Sequence, residues 1–368
     1  MIFSVSNSNN TYIAELKNAS NAGQLTLYLG AGVSQASGLP SWEELIVSLY
    51  YQTLKDDELE YSLMAFPNYL YAIAEWRLQR SKEPLDVIVR RCKGMYQNDR
   101  VAFLRNLRII LYRSLGMDEY NFEGFTIDLA QQTTLLQKNS TLQAIIDLCK
   151  SSVPGTKGVR SIISYNYDNL LETGLKGNKE CASIWKETQT AKLSEIPIYH
   201  VHGYLPVETA EIKEEEIILS EQQYNMMSQN AFYWGNMIQM NQLSTNTGLM
   251  IGVSLTDKNM RRILDAVQKI PRQNSNYIIL REPEPVNLTA DSEEIKKIDD
   301  KAREYMEKFV GSNIKDENKG PGQIIDILQK IDNFDKDAYK NDFDGLGLKV
   351  IWIKDFKEIP VILNTISG

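Results

Sequence analysis

The sequence predicts an α/β protein with a mostly parallel sheet that carries helices on both faces. Three observations lead to this expectation. Short apolar runs alternate with helical segments through most of the chain, and several of these runs end in glycine or serine directly before a helix. Residues 43–150 contain helical spacing but no convincing strand. That stretch predicts a large all-helical insertion after the first strand.

Composition narrows the class of protein. The 368 residues are 43% hydrophobic and 24% charged, which is ordinary for a globular protein. The net charge of −8 predicts no strong direct binding to nucleic acid. Without a signal sequence or an apolar run of about 20 residues, we expect a cytoplasmic protein with no membrane association. Three widely spaced cysteines predict neither a disulfide framework nor a zinc site.

The first strand and the turn after it organise the chain. A helix over about residues 11–22 precedes an apolar run at 25–29, which has the length of a buried strand. The turn that follows contains Gly30 and Gly32, which lack a Cβ and let the backbone approach a ligand closely. Ser41 and Glu44 have the spacing of a capping box, so a helix is expected to start near Trp42.

Strands and helices alternate in the second half of the chain. Ser220 and Gln223 have the spacing of a second capping box. Helices are expected after Asp168, after Ser220, after Asp257, over about 292–310 and 322–331, and from Glu358 to the end. We therefore expect a Rossmann-like domain made of residues 1–42 and 151–368, and a helical subdomain made of residues 43–150. The predicted strands of the second half are 161–164, 196–201, 216–219, 249–253, 276–280 and 348–353.

The glycine turn leaves two interpretations open. A phosphate-binding cradle is one, and a structural tight turn is the other. A dinucleotide fingerprint would have a third glycine where Gln35 stands, and the acidic ribose ligand about 20 residues further on is also missing. An ordinary dehydrogenase is therefore disfavoured.

Three further groups of polar residues follow predicted strands. Each has a simpler explanation as a helix cap or a packed side chain. Of the two histidines in the chain, His202 is the better candidate for a proton acceptor and His200 for a packed neighbour. Because the carboxyl ends of parallel strands meet at one sheet edge, we expect all the groups to converge there. The groups are Asn166 with Asp168, His202 before Gly203, and Gly252 with Ser254 and Asp257.

Taken together, these residues resemble the sirtuin-like (silent-information-regulator type) family over about residues 24–280. The Asn-Tyr-Asp form of the second motif, and Trp42 in the first, resemble the branch found in prokaryotic antiviral defence, whose members degrade NAD. The matching segments are 30–34 with 37–42, 166–172, 202–203, and 252–254 with Asp257.

The resemblance implies that NAD+ is a substrate and assigns residues to it. Asn166 and Asp168 would lie at the nicotinamide and its ribose, with His202 as the base. Gly252 and Ser254 would face the adenosine side, and Asp257 would also bind the cofactor. Pro40 and Trp42 would close over the nicotinamide end. The pyrophosphate would lie on the turn formed by Gly30, Ala31, Gly32, Val33 and Ser34.

The activity implied is an NAD+ glycohydrolase that depletes NAD+ in abortive-infection defence. We also expect a homo-oligomer and a HerA-type hexameric ATPase as partner, because the length suits stand-alone members rather than a sibling type with a fused nucleotide-sensing domain. Two alternatives stay open: a non-catalytic NAD or ADP-ribose binding module, and an NAD-dependent protein deacylase or ADP-ribosyltransferase. Deacylation is disfavoured because three scattered cysteines cannot form a four-cysteine zinc module.

Overall fold

The computed structural model describes residues 7–56, 67–96, 99–208, 213, 216–230, 232–271, 273–282, 289, 292–309 and 321–368. It divides into two compact units. One comprises Met1–Leu280 with Gly347–Gly368, and the other comprises Arg281–Leu346. The helices between residues 43 and 150 belong to the same unit as the sheet. The domain boundaries at 42 and 150 stay a prediction.

The first unit is built on a seven-stranded sheet with the strand order β3-β4-β2-β1-β5-β6-β7. The pairs β1–β2, β1–β5, β2–β4, β3–β4 and β5–β6 are parallel. Every residue of β1 is buried, as expected for a central strand covered on both faces. The strands are β1 Leu25–Leu29, β2 Val159–Ser164, β3 Cys181–Ile184, β4 Ile196–His200, β5 Thr247–Ile251, β6 Asn276–Arg281 and β7 Leu348–Ile353.

Helices surround this sheet, and the described residues between 43 and 150 contain no named strand, as the sequence predicts. A turn of 3₁₀-helix, Arg113–Leu115, follows the helix Arg100–Tyr112. The helices of this unit are α1 Asn7–Asn21, α2 Gly32–Gln35, α3 Trp42–Asp56, α4 Pro67–Ser81, α5 Leu85–Met95, α6 Arg100–Tyr112, α7 Leu129–Lys138, α8 Ser140–Lys150, α9 Leu170–Leu175, α10 Glu221–Gln229, α11 Trp234–Thr245, α12 Lys258–Gln268 and, after α13 and α14 of the other unit, α15 Glu358–Ser367.

Two predicted capping boxes are present. The backbone N–H of Glu44 donates to Ser41 Oγ (3.2 Å), and the N–H of Ser41 donates to Glu44 Oε2 (2.7 Å). These bonds hold the pKa of Glu44 below its ordinary value, because they stabilise the carboxylate. At α10 the N–H of Ser220 donates to Gln223 Oε1 (3.0 Å). The local sequence therefore fixes where both helices begin.

The strand predicted over residues 216–219 is wrong. The apolar run Ile217–Leu219 is buried, but it leaves the sheet and crosses the carboxyl end of β4 as irregular chain. The backbone groups of Ile218 form hydrogen bonds outside the sheet: its N–H donates to His202 O (2.8 Å), and its C=O accepts from Tyr167 Oη (2.7 Å). A Cβ on Gly203 would overlap this segment, so close backbone packing replaces strand pairing.

The sequence also missed β3, a four-residue strand at one end of the sheet order. Its residues are partly exposed and alternate too briefly to produce a strand pattern. In the part of the second unit that the structure describes, the helices are α13 Glu293–Phe309 and α14 Pro321–Gly345. The expected helix over 292–310 agrees with α13, whereas α14 continues well past residue 331. Phe334 and Tyr339 of α14 are exposed, so apolar spacing does not reveal its second half.

Within the described residues, no helix combines the length and apolar character that crossing a membrane requires.

Candidate functional site

Four consecutive strands of the sheet, β4, β2, β1 and β5, bring the predicted groups to one edge. Gly30 follows the last residue of β1, and Gly252 follows the last residue of β5. Asn166 lies two residues beyond β2, and His202 two residues beyond β4. Since these strands are parallel neighbours, their carboxyl ends lie side by side. The predicted convergence of the four groups is therefore present in the fold.

The glycines of the first turn are explained by backbone packing against the turn after β5. Gly30 N donates to Ile251 O (3.0 Å), and Gly32 N donates to Gly252 O (3.1 Å). A Cβ on Gly30 would overlap the carbonyl oxygen of Gly252. Gly252 has φ +66°, and a Cβ there would lie 2.7 Å from the nitrogen of Val33. Of the two interpretations left open, the structural turn accounts for these glycines.

The same turn still presents a surface at the sheet edge. Ala31 and Gly32 are exposed there, while Val33 and Ser34 are buried at the start of α2. Asn139, the residue that caps α8, donates from Nδ2 to Val33 O (2.7 Å) and to Ser37 Oγ (2.8 Å). The start of α8 thus fixes the position of the turn through Asn139.

Ser34 links the turn to the motif after β2. Its Oγ donates to Asp168 Oδ2 (2.8 Å) and accepts from Asn166 Nδ2 (3.1 Å). Asn166 Nδ2 also donates to Gly30 O (3.1 Å). Both N–H bonds of the Asn166 amide are used inside the protein, which leaves Oδ1 as the atom that can accept a hydrogen bond from a bound molecule.

Asp168 is buried, and burial raises the pKa of its carboxyl above the ordinary value. Hydrogen bonds from the backbone of Leu170 and from Ser34 act in the opposite direction, because they stabilise the carboxylate. Asp168 Oδ1 accepts from Leu170 N at 3.1 Å, but the N-cap residue of α9 is Asn169 rather than Asp168. The Asp168 carboxylate therefore contacts both the first residue of α9 and Ser34.

His200 is buried between two hydrogen-bond acceptors. Its Nδ1 lies 3.1 Å from Asn166 O, and its Nε2 lies 2.7 Å from Glu172 Oε1. A ring that faces acceptors on both sides needs a proton on each nitrogen. Burial on its own lowers the pKa of His200, but the Glu172 carboxylate outweighs it and raises that pKa. His200 is thus a cationic partner of Glu172 rather than a proton acceptor.

Replacing His200 with glutamine is expected to lower the free energy of unfolding by about 3–5 kcal/mol at pH 6, because it leaves the Glu172 carboxylate largely buried without its cation. The raised pKa means that this stabilisation is complete below the unfolded value of 6.5 and is lost as pH rises through the folded value. Urea unfolding at pH 6 and pH 9 measures the difference.

The matched variant Glu172→Gln removes the other partner and is expected to show the same pH dependence. If His200→Gln lowered the free energy of unfolding equally at pH 6 and pH 9, His200 and Glu172 would not form a charged pair.

His202 lies in a different environment. It is buried between the rings of Tyr165 and Tyr224, with ring centroids 5.3 Å and 5.6 Å away in edge-on geometry. Its backbone oxygen is held by Ile218 N. Its Nε2 lies 3.1 Å from Asp257 Oδ2. His202, the candidate proton acceptor, is thus held by two aromatic rings and one carboxylate.

That carboxylate belongs to Asp257, which lies in the loop between β5 and α12. Asp257 Oδ1 caps α12 by accepting from Asn259 N (2.7 Å) and Met260 N (3.2 Å). Burial acts to raise the pKa of Asp257, but His202 and the two capping N–H groups outweigh it and hold that pKa below its ordinary value. Ser254 is exposed, and its Oγ lies 2.8 Å from Thr256 Oγ1.

Pro40 and Trp42 are partly buried where α3 begins, and Trp42 packs against the hydrophobic core. Their closure over the nicotinamide end stays a prediction. Sequence reasoning did not assign Asn139, Glu172, Tyr165 or Tyr224 to the site. Asn139 has the signal of a helix N-cap before Ser140, but nothing in the sequence shows that it reaches Val33.

Cys92 and Cys149 are buried, Cys181 is partly buried, and all three are free thiols. Within the described ranges, no cluster of three or more His, Cys, Asp or Glu side chains is arranged to hold a metal ion.

Comparison with known proteins adds two findings. Residues 160–305 match the family model of the SIR2-like domain. The chain is also 26% identical over 278 residues to Defense-associated sirtuin 2 of Bacillus subtilis, an alignment that covers 74% of this chain and 22% of that relative. This chain thus spans about a fifth of the length of the curated relative that it matches. The chain is therefore similar, over these ranges, to a SIR2-like domain and to a defence-associated sirtuin.

Proposed function

We propose that the protein is an NAD+ glycohydrolase that cleaves the bond between nicotinamide and ribose, giving nicotinamide and ADP-ribose. The observation that carries the proposal is the convergence at one sheet edge of a spare amide acceptor, Asn166 Oδ1, a buried carboxylate, Asp168, and an imidazole, His202. The match of residues 160–305 to a SIR2-like domain supports NAD+ as the substrate, because that range contains all three residues.

The chemistry needs little acid assistance, because nicotinamide leaves as a neutral molecule. The bond between C1′ of the ribose and the nicotinamide nitrogen breaks, and its electron pair departs with nicotinamide. A water oxygen bonds to C1′, and one proton of that water passes to His202. The enzyme therefore has to hold ribose and water in a reactive geometry and provide a proton acceptor.

The described contacts suit these tasks. Asn166 Oδ1 can accept from the water or from a ribose hydroxyl, because its amide is locked by Gly30 and Ser34. Asp168 is fixed by Ser34 and can accept from the carboxamide of nicotinamide. His200 cannot compete as a base, since both of its ring nitrogens face acceptors. The proton acceptor is therefore His202.

We further propose that this activity serves antiviral defence by depleting NAD+, with restraint until a trigger arrives. The supporting finding is the similarity to a defence-associated sirtuin. A HerA-type ATPase partner and a homo-oligomeric state are part of this proposal, as is a cytoplasmic location.

The test is incubation of the protein with NAD+, alone and with a HerA-type ATPase, followed by chromatography of the products. Asn166→Ala is expected to lower nicotinamide release about 10²-fold, because the water or ribose loses its acceptor. Tight NAD+ binding with no nicotinamide from the triggered complex would instead indicate a binding module. Release that requires an acyl-lysine or a protein acceptor would indicate a deacylase or transferase.

A further inference from the structure

The two carboxylate oxygens of Asp257 make different contacts. Oδ1 accepts from Asn259 N and Met260 N and so fixes the carboxylate at the start of α12. Oδ2 points the other way and lies 3.1 Å from His202 Nε2. The helix cap therefore sets the position of the oxygen that faces the imidazole.

Oδ2 of Asp257 is buried, and no aligned hydrogen-bond donor serves it within the described chain. A buried acceptor left without a donor is unfavourable, because it has lost its hydrogen bond to water. His202 Nε2 lies 3.1 Å from Oδ2, within hydrogen-bond distance, so a proton on that nitrogen is available to it. The free energy of satisfying Oδ2 thus favours the form of His202 with a proton on Nε2.

Two tyrosine rings of the described chain also pack against the His202 ring, and both are uncharged at neutral pH. Tyr165 and Tyr224 face it edge-on, and burial raises the pKa of both phenols far above neutrality. The hydroxyl of Tyr165 is directed to Gln239 Oε1 (2.7 Å), away from any role as a donor to the ring. Asp257 is thus the charged group that selects between the two ring nitrogens.

The loop that carries Asp257 shows backbone strain. Leu255 is buried and has φ +55°, a left-handed conformation that is unfavourable for a residue with a bulky side chain. Such conformations persist where the surrounding structure enforces them. The strain lies two residues before Asp257, at the bend that directs the chain from β5 into α12.

We propose that Asp257 is a positioning residue that holds His202 with its proton on Nε2 and leaves Nδ1 as the proton acceptor of the reaction. The carboxylate orients the ring and fixes its tautomer, as the carboxylate partner of a histidine base does in general. This inference rests on the proposed function for its catalytic meaning. The tautomer itself can be measured without any activity.

The experiment is nitrogen NMR of the protein labelled with ¹⁵N at histidine. The chain has two histidines, so loss of one set of resonances in His202→Gln assigns the other. Spectra are recorded over an alkaline pH series so that the neutral ring is observed. We expect a pyridine-type Nδ1 and a protonated Nε2 for His202.

Asp257→Asn is the informative variant, because asparagine caps helices as well as aspartate does and so preserves α12. We expect the Nε2–H preference of His202 to be lost, and the kcat of nicotinamide release to fall about 10²-fold with little change in KM. The matched control is Asp265→Asn, which removes an exposed carboxylate from the same helix and is expected to leave both readouts unchanged.

A wild-type His202 with its proton on Nδ1, or a tautomer unaffected by Asp257→Asn, would overturn the inference. If the tautomer follows Asp257 but the triggered complex releases no nicotinamide, the positioning role stands and the proposed hydrolysis fails. The two failures are therefore distinguishable.

Discussion

Replacing His202 with alanine is expected to lower the rate of nicotinamide release about 10²–10⁴-fold, the usual contribution of a positioned acid or base. His202 is the imidazole at the sheet edge that retains a ring nitrogen able to take a proton, because both nitrogens of His200 face acceptors. The measurement is the initial rate of nicotinamide formation by the triggered complex.

Two controls accompany the alanine variant. NAD+ binding measured by calorimetry is expected to stay close to wild type. The thermal unfolding midpoint is expected to fall, because alanine removes a buried ring that packs between Tyr165 and Tyr224, so rates are compared well below the midpoint of the variant. Wild-type turnover in a folded His202→Ala protein would remove His202 from the mechanism and leave the proton acceptor unassigned.

Replacing Gly30 with alanine is expected to destabilise the protein by about 3 kcal/mol and to abolish NAD+ binding. The added Cβ would overlap the carbonyl oxygen of Gly252, and a backbone atom cannot move aside as a flexible side chain does. Separation of the two turns would also break the bonds from Gly30 N to Ile251 O and from Gly32 N to Gly252 O. Urea unfolding and calorimetry with NAD+ measure the two effects.

Gly94 provides the matched control for this substitution. It lies in α5, and no heavy atom stands within 4 Å of where its Cβ would be. Gly94→Ala is therefore expected to be neutral or to stabilise by up to about 1 kcal/mol, because alanine favours a helix over glycine. Equal stability and equal NAD+ binding of Gly30→Ala and Gly94→Ala would show that the packed turns do not shape the site.

The sequence predicts the sheet and the edge where the site lies, because buried strands and their terminal glycines leave local patterns. The strands around Leu27, Ile163, Ile198 and Met250 are found at the expected places. Long-range contacts leave no such pattern. The strand expected at 216–219 fails because packing on Gly203 replaces pairing, and β3 is too short to show a period.

In the candidate site, too, local patterns are predictable from the sequence and long-range contacts are not. His202 and His200 are two residues apart and look alike in the sequence, yet Glu172 makes one of them a buried cation. Asp257 has the signal of a helix cap, and the structure adds a second contact to His202 that depends on the folding of a separate strand and loop. Residue type and local spacing predict which groups reach the edge, whereas their pairing is decided by the tertiary fold.

The most direct test of the central claim is the product balance of NAD+ cleavage. The triggered complex is supplied with NAD+ and water and with no acyl-lysine peptide or protein acceptor, and nicotinamide and ADP-ribose are quantified together. The account predicts equal amounts of both products over many turnovers. Absence of nicotinamide, or nicotinamide without an equal amount of free ADP-ribose, would contradict hydrolysis at this site.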